Sequence, residues 1–275
     1  MIDLLPRLRP RLGDESREWL TKTLDRVRSS PEALQEVFPD LPRRAGRTLL
    51  PAEVLREGEI TIDLGALRTC DAAASAILLA ARIDDAARVD LFLHGDVEER
   101  TMVLRAEQLR PAGVASVLLL GEVQRSNVQI LFEALCCDSN FLARAARNPD
   151  FAVQGFNRTL LKLAFLNLPL ARAFEAEKLA NPELSRMLQD LATEREAAGR
   201  AVWTDTCRLI ARAPAPGSLA RIVGALEHGD DGQRKAAAEG VVASGRKDLA
   251  GFVRERLPRE PRQEIRELLT KALSN

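Results

Sequence analysis

Apolar residues recur three and four positions apart along nearly the whole chain, as in Ile77, Leu78 and Ala81 or Leu160, Leu161, Ala164 and Phe165. That spacing gathers them on one side of a 3.6-residue helix and scatters them over both faces of a strand, so it predicts helices with a buried stripe. Leu, Ala, Arg and Glu dominate and β-branched runs are scarce, which agrees with helix propensity. One segment departs from the pattern: in GEITIDLGAL (58–67), Ile60, Ile62 and Leu64 alternate, as in a short strand or an extended lead-in to the next helix. SSPEAL, FPDLPRRAGR, LRPAG, RNPDF, NLPL, ANPEL and RAPAPGS interrupt the periodicity. Their Asn-Pro and Ser-Pro steps put proline in a first helical turn, where its missing N–H costs nothing. The expected fold is all-α.

A second feature constrains how those helices are joined. The tripeptide His-Gly-Asp occurs twice, at 94–96 and 228–230, it holds both histidines of the chain, and an arginine follows each aspartate by four positions (Arg100, Arg234). Asp96 with Glu99, and Asp230 with Gln233, have capping-box spacing, in which the first side chain takes an orphan backbone N–H and the second reaches back. Gly95 and Gly229 would end the preceding helix. The unit is helix, turn, capped helix, and residues 224–257 resemble one HEAT-like repeat over their whole length. The expectation is a right-handed α-solenoid of HEAT-like helix pairs. It would carry a helical cap and extended lead-in over 1–68, central repeats over 69–212 and a C-terminal HEAT-like repeat over 218–275, with a soft boundary at RAPAPGS (212–218). A metal or acid/base role shared by His94 and His228 fits less well, because turns 134 positions apart would lie several layers apart, and capping already explains the flanking residues.

Forty basic and forty acidic residues cancel, so no global field draws the chain to nucleic acid or to anionic membranes. The longest apolar run, VASVLLLG (114–121), is far short of the ~20 residues that cross a bilayer, and MIDLLPRLRPRL lacks the apolar core of a secretory signal. A cytoplasmic protein without a membrane span is expected. Cys70, Cys136, Cys137 and Cys207 show no C-x-x-C spacing and read as reduced core thiols, so neither a metal nor a cofactor is expected.

Several segments carry a resemblance, from about residue 17 to 245. They are FPDLPRRAGRTLL (38–50), HGDVEERTMVLRAEQL (94–109), QRSNVQILFEALC (124–136), FNRTLLKLAFLNLPLARAF (156–174) and NPELSRMLQDLATEREAAGRAV (181–202). In order and spacing they resemble the EboA-like family, helical proteins encoded in bacterial and some algal gene clusters for making and exporting a metabolite. The resemblance implies a cytoplasmic helical protein in metabolite traffic and brings no defined reaction with it.

Candidate site residues follow from helix faces. Asn157 falls among Val153, Leu160, Leu161, Ala164 and Leu168, and Asn127 among Val123, Ile130, Leu131 and Ala134, so each amide must find partners inside the protein or in a ligand. Arg158 and Lys162 share a narrower polar face that could meet an anion. Arg186, Asp190 and Glu194 stand in a row with Arg195 beside them. The two carboxylates could hold Mg²⁺ for a diphosphate, or simply form helix-surface ion pairs. Glu133 borders an apolar face and is a further acid of this kind, while the paired acids of IDDAAR (83–88) read as a helix start.

Without a nucleophile beside a base, a metal cluster or a phosphate loop, the favoured function is a non-catalytic scaffold or carrier. Its concave face would hold a partner from the same gene cluster or a small apolar metabolite. The alternative is an enzyme acting on a metabolite, prenylated or diphosphate-bearing ones included. It would use Asp190, Glu194 or Glu133 with Lys162 in one pocket beside Asn127 and Asn157, and in either reading the ligand- or partner-binding candidates are Asn127, Glu133, Asn157, Lys162, Asp190, Glu194 and Arg195. Convergence of these side chains on one pocket would separate the readings. Neutral charge, two tryptophans and no tyrosine argue against a HEAT-like DNA-repair enzyme.

Overall fold

The computed structural model describes residues 1–200 and 205–274. They are overwhelmingly helical. The N-terminal part contributes α1 (Leu5–Leu8), α2 (Asp14–Ser29), α3 (Leu34–Val37) and α4 (Leu41–Ala45), and then a hairpin of β1 (Val54–Glu57) and β2 (Ile60–Asp63). There follow α5 (Thr69–Ala81), α6 (Asp85–His94), α7 (Val97–Gln108), α8 (Val114–Arg125), α9 (Gln129–Cys136), α10 (Phe141–Ala145) and α11 (Ala152–Phe165). The remaining helices are α12 (Pro182–Ala197), α13 (Thr206–Arg212), α14 (Ser218–Ala225), α15 (Asp231–Ser244), α16 (Ala250–Arg256) and α17 (Gln263–Ser274).

The alternating segment is a strand. Val54 faces Asp63 and Glu57 faces Ile60 across an antiparallel pair, and Ile60 and Ile62 turn inward. Asp63 then accepts from the Gly65 N–H at 2.9 Å and starts a 3₁₀ turn, so the strand ends before Leu64, which is buried like Ile60 and Ile62. The β-branched Ile-Thr-Ile run suits the pleat. A single two-stranded hairpin among the described residues leaves the class all-α, as expected.

Two compact units divide the chain. The first holds Met1–Phe156 with Arg172–Phe174, and the second holds Asn157–Ala171 with Glu175–Asn275. In the first, α5, α7 and α9 lie side by side, while α6 packs on α7 and α8, and α8 on α9. Helix α5 is buried on nearly every side because Ala72, Ala73, Ala74, Ser75 and Ala76 let α1, α2, α4 and α7 approach closely. In the second unit, α13, α15 and α17 form one row, with α14 against α15 and α16 against α17, and α12 covers α13 and α14. Within α5–α9 and within α13–α17, every second helix thus packs beside the next but one.

Both His-Gly-Asp segments are helix starts. Asp96 accepts from the N–H groups of Glu98 and Glu99 at 2.8 Å, and Glu99 reaches back to the Asp96 N–H at 2.6 Å, a complete capping box. Asp230 accepts from the Gln233 N–H at 2.9 Å. The arginines turn backward. Arg100 donates to the carbonyls of Gly95 (2.7 Å) and Leu93 (2.8 Å), and Arg234 to those of His228 and Gly229 (both 2.9 Å), closing carbonyls that the preceding helix leaves open.

Candidate functional site

Helices α11 and α12 border a groove of about 580 Å³ on the second unit. Its lining comes from two stripes, Arg158, Leu161, Lys162 and Phe165 on α11, and Met187, Asp190, Leu191 and Glu194 on α12. Each follows the i, i+3, i+4, i+7 rule, so each is a single helix face. Leu161, Phe165, Met187 and Leu191 make an apolar floor, and Phe165 is 60% exposed, unusual for so large a ring. The charges are sorted by helix: Arg158 and Lys162 on α11, Asp190 and Glu194 on α12.

The walls are pinned at both ends. Toward the start of each helix, Asn157 in the second turn of α11 and Asn181 at the N-cap of α12 exchange amide hydrogen bonds at 3.1 and 2.9 Å. Asn181 also caps α12 by accepting from the Leu184 N–H at 3.0 Å, with Pro182 in the first turn. At the far end, Arg195 of α12 donates to the last carbonyls of α11, Phe165 at 2.9 Å and Ala164 at 3.3 Å, and to Asn167 Oδ1 at 2.6 Å. Start meets start and end meets end, so α11 and α12 run in the same direction. Arg195 also places positive charge at a helix C-terminus, where the dipole favours it.

Of the sequence candidates, Lys162, Asp190 and Glu194 line the groove together with Arg158. Asp190 also accepts from Arg186 at 2.7 Å in an exposed pair. Asn157 is 3% exposed and engaged with Asn181, and Arg195 holds the helix ends, so both position the walls. Glu133 and Asn127 belong to the first unit. Glu133 accepts from Arg172 at 2.8 Å and from Gln129 at 2.8 Å, and Arg172 bridges on to Asp138.

Asn127 corrects the sequence reading. QRSNVQILFEALC is not one helix: α8 ends at Arg125, α9 starts at Gln129, and Asn127 is exposed between them. Ser126 Oγ accepts from the Val128 N–H at 3.1 Å, a local turn that competes with helix continuation. Val153 is likewise 58% exposed rather than part of an apolar face with Leu160, and Leu168 lies beyond the end of α11. Asn181 and the floor residues Met187 and Leu191 were not anticipated. The Asn-Pro step and the four-residue spacing were the signals that could have found them.

Thiol chemistry has little support. Burial pushes Cys70 and Cys137 up to about 12, so neither holds an appreciable thiolate near neutrality. Asp205 is raised to about 6 by burial, partly offset by the N–H of Ala171, and it does not line the groove. Among the described residues, no three or more His, Cys, Asp or Glu are grouped to hold a metal ion. No described helix is long and apolar enough to cross a membrane.

A family model described as "Metabolite traffic protein EboA" matches residues 3–211. The match takes in the whole groove and stops before α14. No curated protein and no solved structure matches the chain.

Proposed function

We propose, from the premise that the chain belongs to the EboA family of metabolite traffic proteins, that it acts by docking rather than by catalysis, receiving an apolar surface in the groove of the second unit. The observation that supports this is the groove itself: an apolar floor open to solvent, flanked by charge, with its walls held by hydrogen bonds at both ends. Such a site binds without needing to move protons or electrons. In this reading the alternating helices are HEAT-like pairs stacked as a right-handed solenoid, the protein works in the cytoplasm, and its partners are products of the same gene cluster or a small apolar metabolite.

The test replaces the chain in its host with a Leu161→Asp, Phe165→Asp variant whose helical circular dichroism is unchanged. The metabolite exported by the cluster should fall to the level of a complete deletion. Full export from a folded variant would sink the reading.

A second reading draws on the convergence of Lys162, Asp190 and Glu194 at one groove. Asp190 and Glu194, one turn apart, would share a divalent cation that binds a diphosphate, with the attached apolar chain along Phe165. Calorimetric titration with an alkyl diphosphate separates the two. Binding that requires magnesium and disappears in Glu194→Gln favours the small-molecule reading, and no heat with or without magnesium removes it.

A further inference from the structure

The groove has the layout of a three-helix seam with one helix absent. Leu161 with Phe165, and Met187 with Leu191, are apolar pairs spaced four apart, the spacing that receives the apolar stripe of a neighbouring helix. Outside each apolar pair runs a charged pair of the same spacing, Arg158 with Lys162 on one wall and Asp190 with Glu194 on the other. These occupy the place that flanking charges take beside a coiled-coil seam, where they set the choice and direction of the partner. The stripes span roughly 10 Å, about two helical turns at 1.5 Å per residue. The two walls run in one direction and are pinned at both ends, so the sorting of charge is a stable property of the site.

We infer that the groove takes an amphipathic helix of a partner protein, with acidic residues along the flank facing α11 and basic residues along the flank facing α12. This deepens, and rests on, the docking reading above. An occupant with one sign of charge would satisfy one wall and be repelled by the other. A helix with split flanks satisfies both, and in one direction only, because reversing it exchanges its flanks. Pairings that the wall residues already make, such as that of Asp190 with Arg186 and that engaging Lys162, are no obstacle, since exposed pairs are weak and exchange readily.

The experiment uses the full chain and three fluorescein-labelled synthetic peptides, each stapled to remain helical and each carrying the same leucine seam. One has Glu along one flank and Lys along the other, one has Glu on both, and one has Lys on both. By fluorescence anisotropy at low salt the split-flank peptide should bind about three- to tenfold tighter than either of the others, with the preference fading at high salt. On an Arg158→Glu, Lys162→Glu variant both walls are acidic, and the peptide with Lys on both flanks should become the tightest. Phe165→Asp should weaken all three, which places the probe in the groove.

Equal affinities, an unchanged order on the charge-reversed variant, absence of binding by the split-flank peptide, or binding that survives Phe165→Asp would each overturn the inference. Docking and the helical nature of its occupant fail separately. If the peptides show no charge order while the host export test still fails for the groove variant, docking stands and its occupant is not a helix. If export is unaffected, docking itself is wrong.

Discussion

The two His-Gly-Asp turns begin alike and end differently. Both put aspartate at the helix N-cap and bend an arginine back onto open carbonyls. In the first unit, Arg100 is part-exposed, has no carboxylate partner among the described residues and lies over the Phe92 ring at 5.5 Å. In the second, the Arg234 side chain is 5% exposed and donates to Glu260 at 3.0 Å as well as to Asp231. Glu260 in turn accepts from Arg256 at 2.8 Å and from the Arg262 N–H at 3.0 Å. The same local sequence thus makes the same local cap, while the worth of the arginine is set by what the next helices bring to it. A clamp on neutral carbonyls is modest, and a buried charge network is costly to open.

Four measurements would break or sharpen this comparison. The largest effect is expected from Glu260→Ala, which takes from the buried guanidinium of Arg234 its buried carboxylate and leaves it only the part-exposed Asp231, and should destabilise the second unit by about 3–5 kcal/mol in urea unfolding. Arg100→Ala should cost only about 1–2 kcal/mol, for hydrogen bonds from a part-exposed guanidinium to neutral carbonyls and a partly exposed cation–π contact. Equal losses would show that the two clamps are equivalent.

Acid should separate the units next. Burial alone would raise the Glu260 carboxyl, but hydrogen bonds from Arg234 and Arg256 outweigh it and hold the group at about 2. A carboxyl depressed in the fold contributes stability that is complete above its unfolded value, about 4.3, and is lost as pH falls toward 2. The stability difference between the natural chain and Glu260→Gln should therefore be full at neutral pH and shrink between pH 4.5 and 2. A difference that does not change with pH would mean that the network is not ionic.

The caps should differ less. Asp96→Ala removes a complete capping box and Asp230→Ala a single cap bond, for losses of about 1 kcal/mol each, with the former the larger. The smallest effect is expected from His94→Ala and His228→Ala. The His94 side chain is 76% exposed, and His228 is exposed with Nδ1 accepting from the Asp230 N–H, so thermal unfolding should move by no more than about 0.5 kcal/mol equivalent. A large loss from either would show that the histidine holds its turn together.

What could be read in advance follows a physical boundary. Capping at Asp96 and Asp230, the strand at Ile60 and Ile62, and the helix start at Asp84, which accepts from the Ala87 N–H at 2.8 Å, depend on residues two to four apart, and all were legible. So was the shared face of Arg158 with Lys162 and of Asp190 with Glu194. Asn127 was misplaced because a serine hydroxyl two residues from Val128 outbid the helix, a local competition that periodicity does not weigh. Glu133 seemed available as an acid, whereas Arg172, 39 positions away, neutralises it. Asn157 called for a partner, and Asn181, 24 positions away, supplied it.

The sequence by itself determined the helices, their caps and the sign of charge on each face, because backbone geometry maps residue spacing onto a helix surface without reference to anything else. Only the tertiary structure decided that α11 and α12 run side by side and leave their apolar stripes uncovered, and that Arg234 rather than Arg100 meets a buried carboxylate. Those outcomes join residues far apart along the chain, and such pairings are chosen by the packing of whole elements.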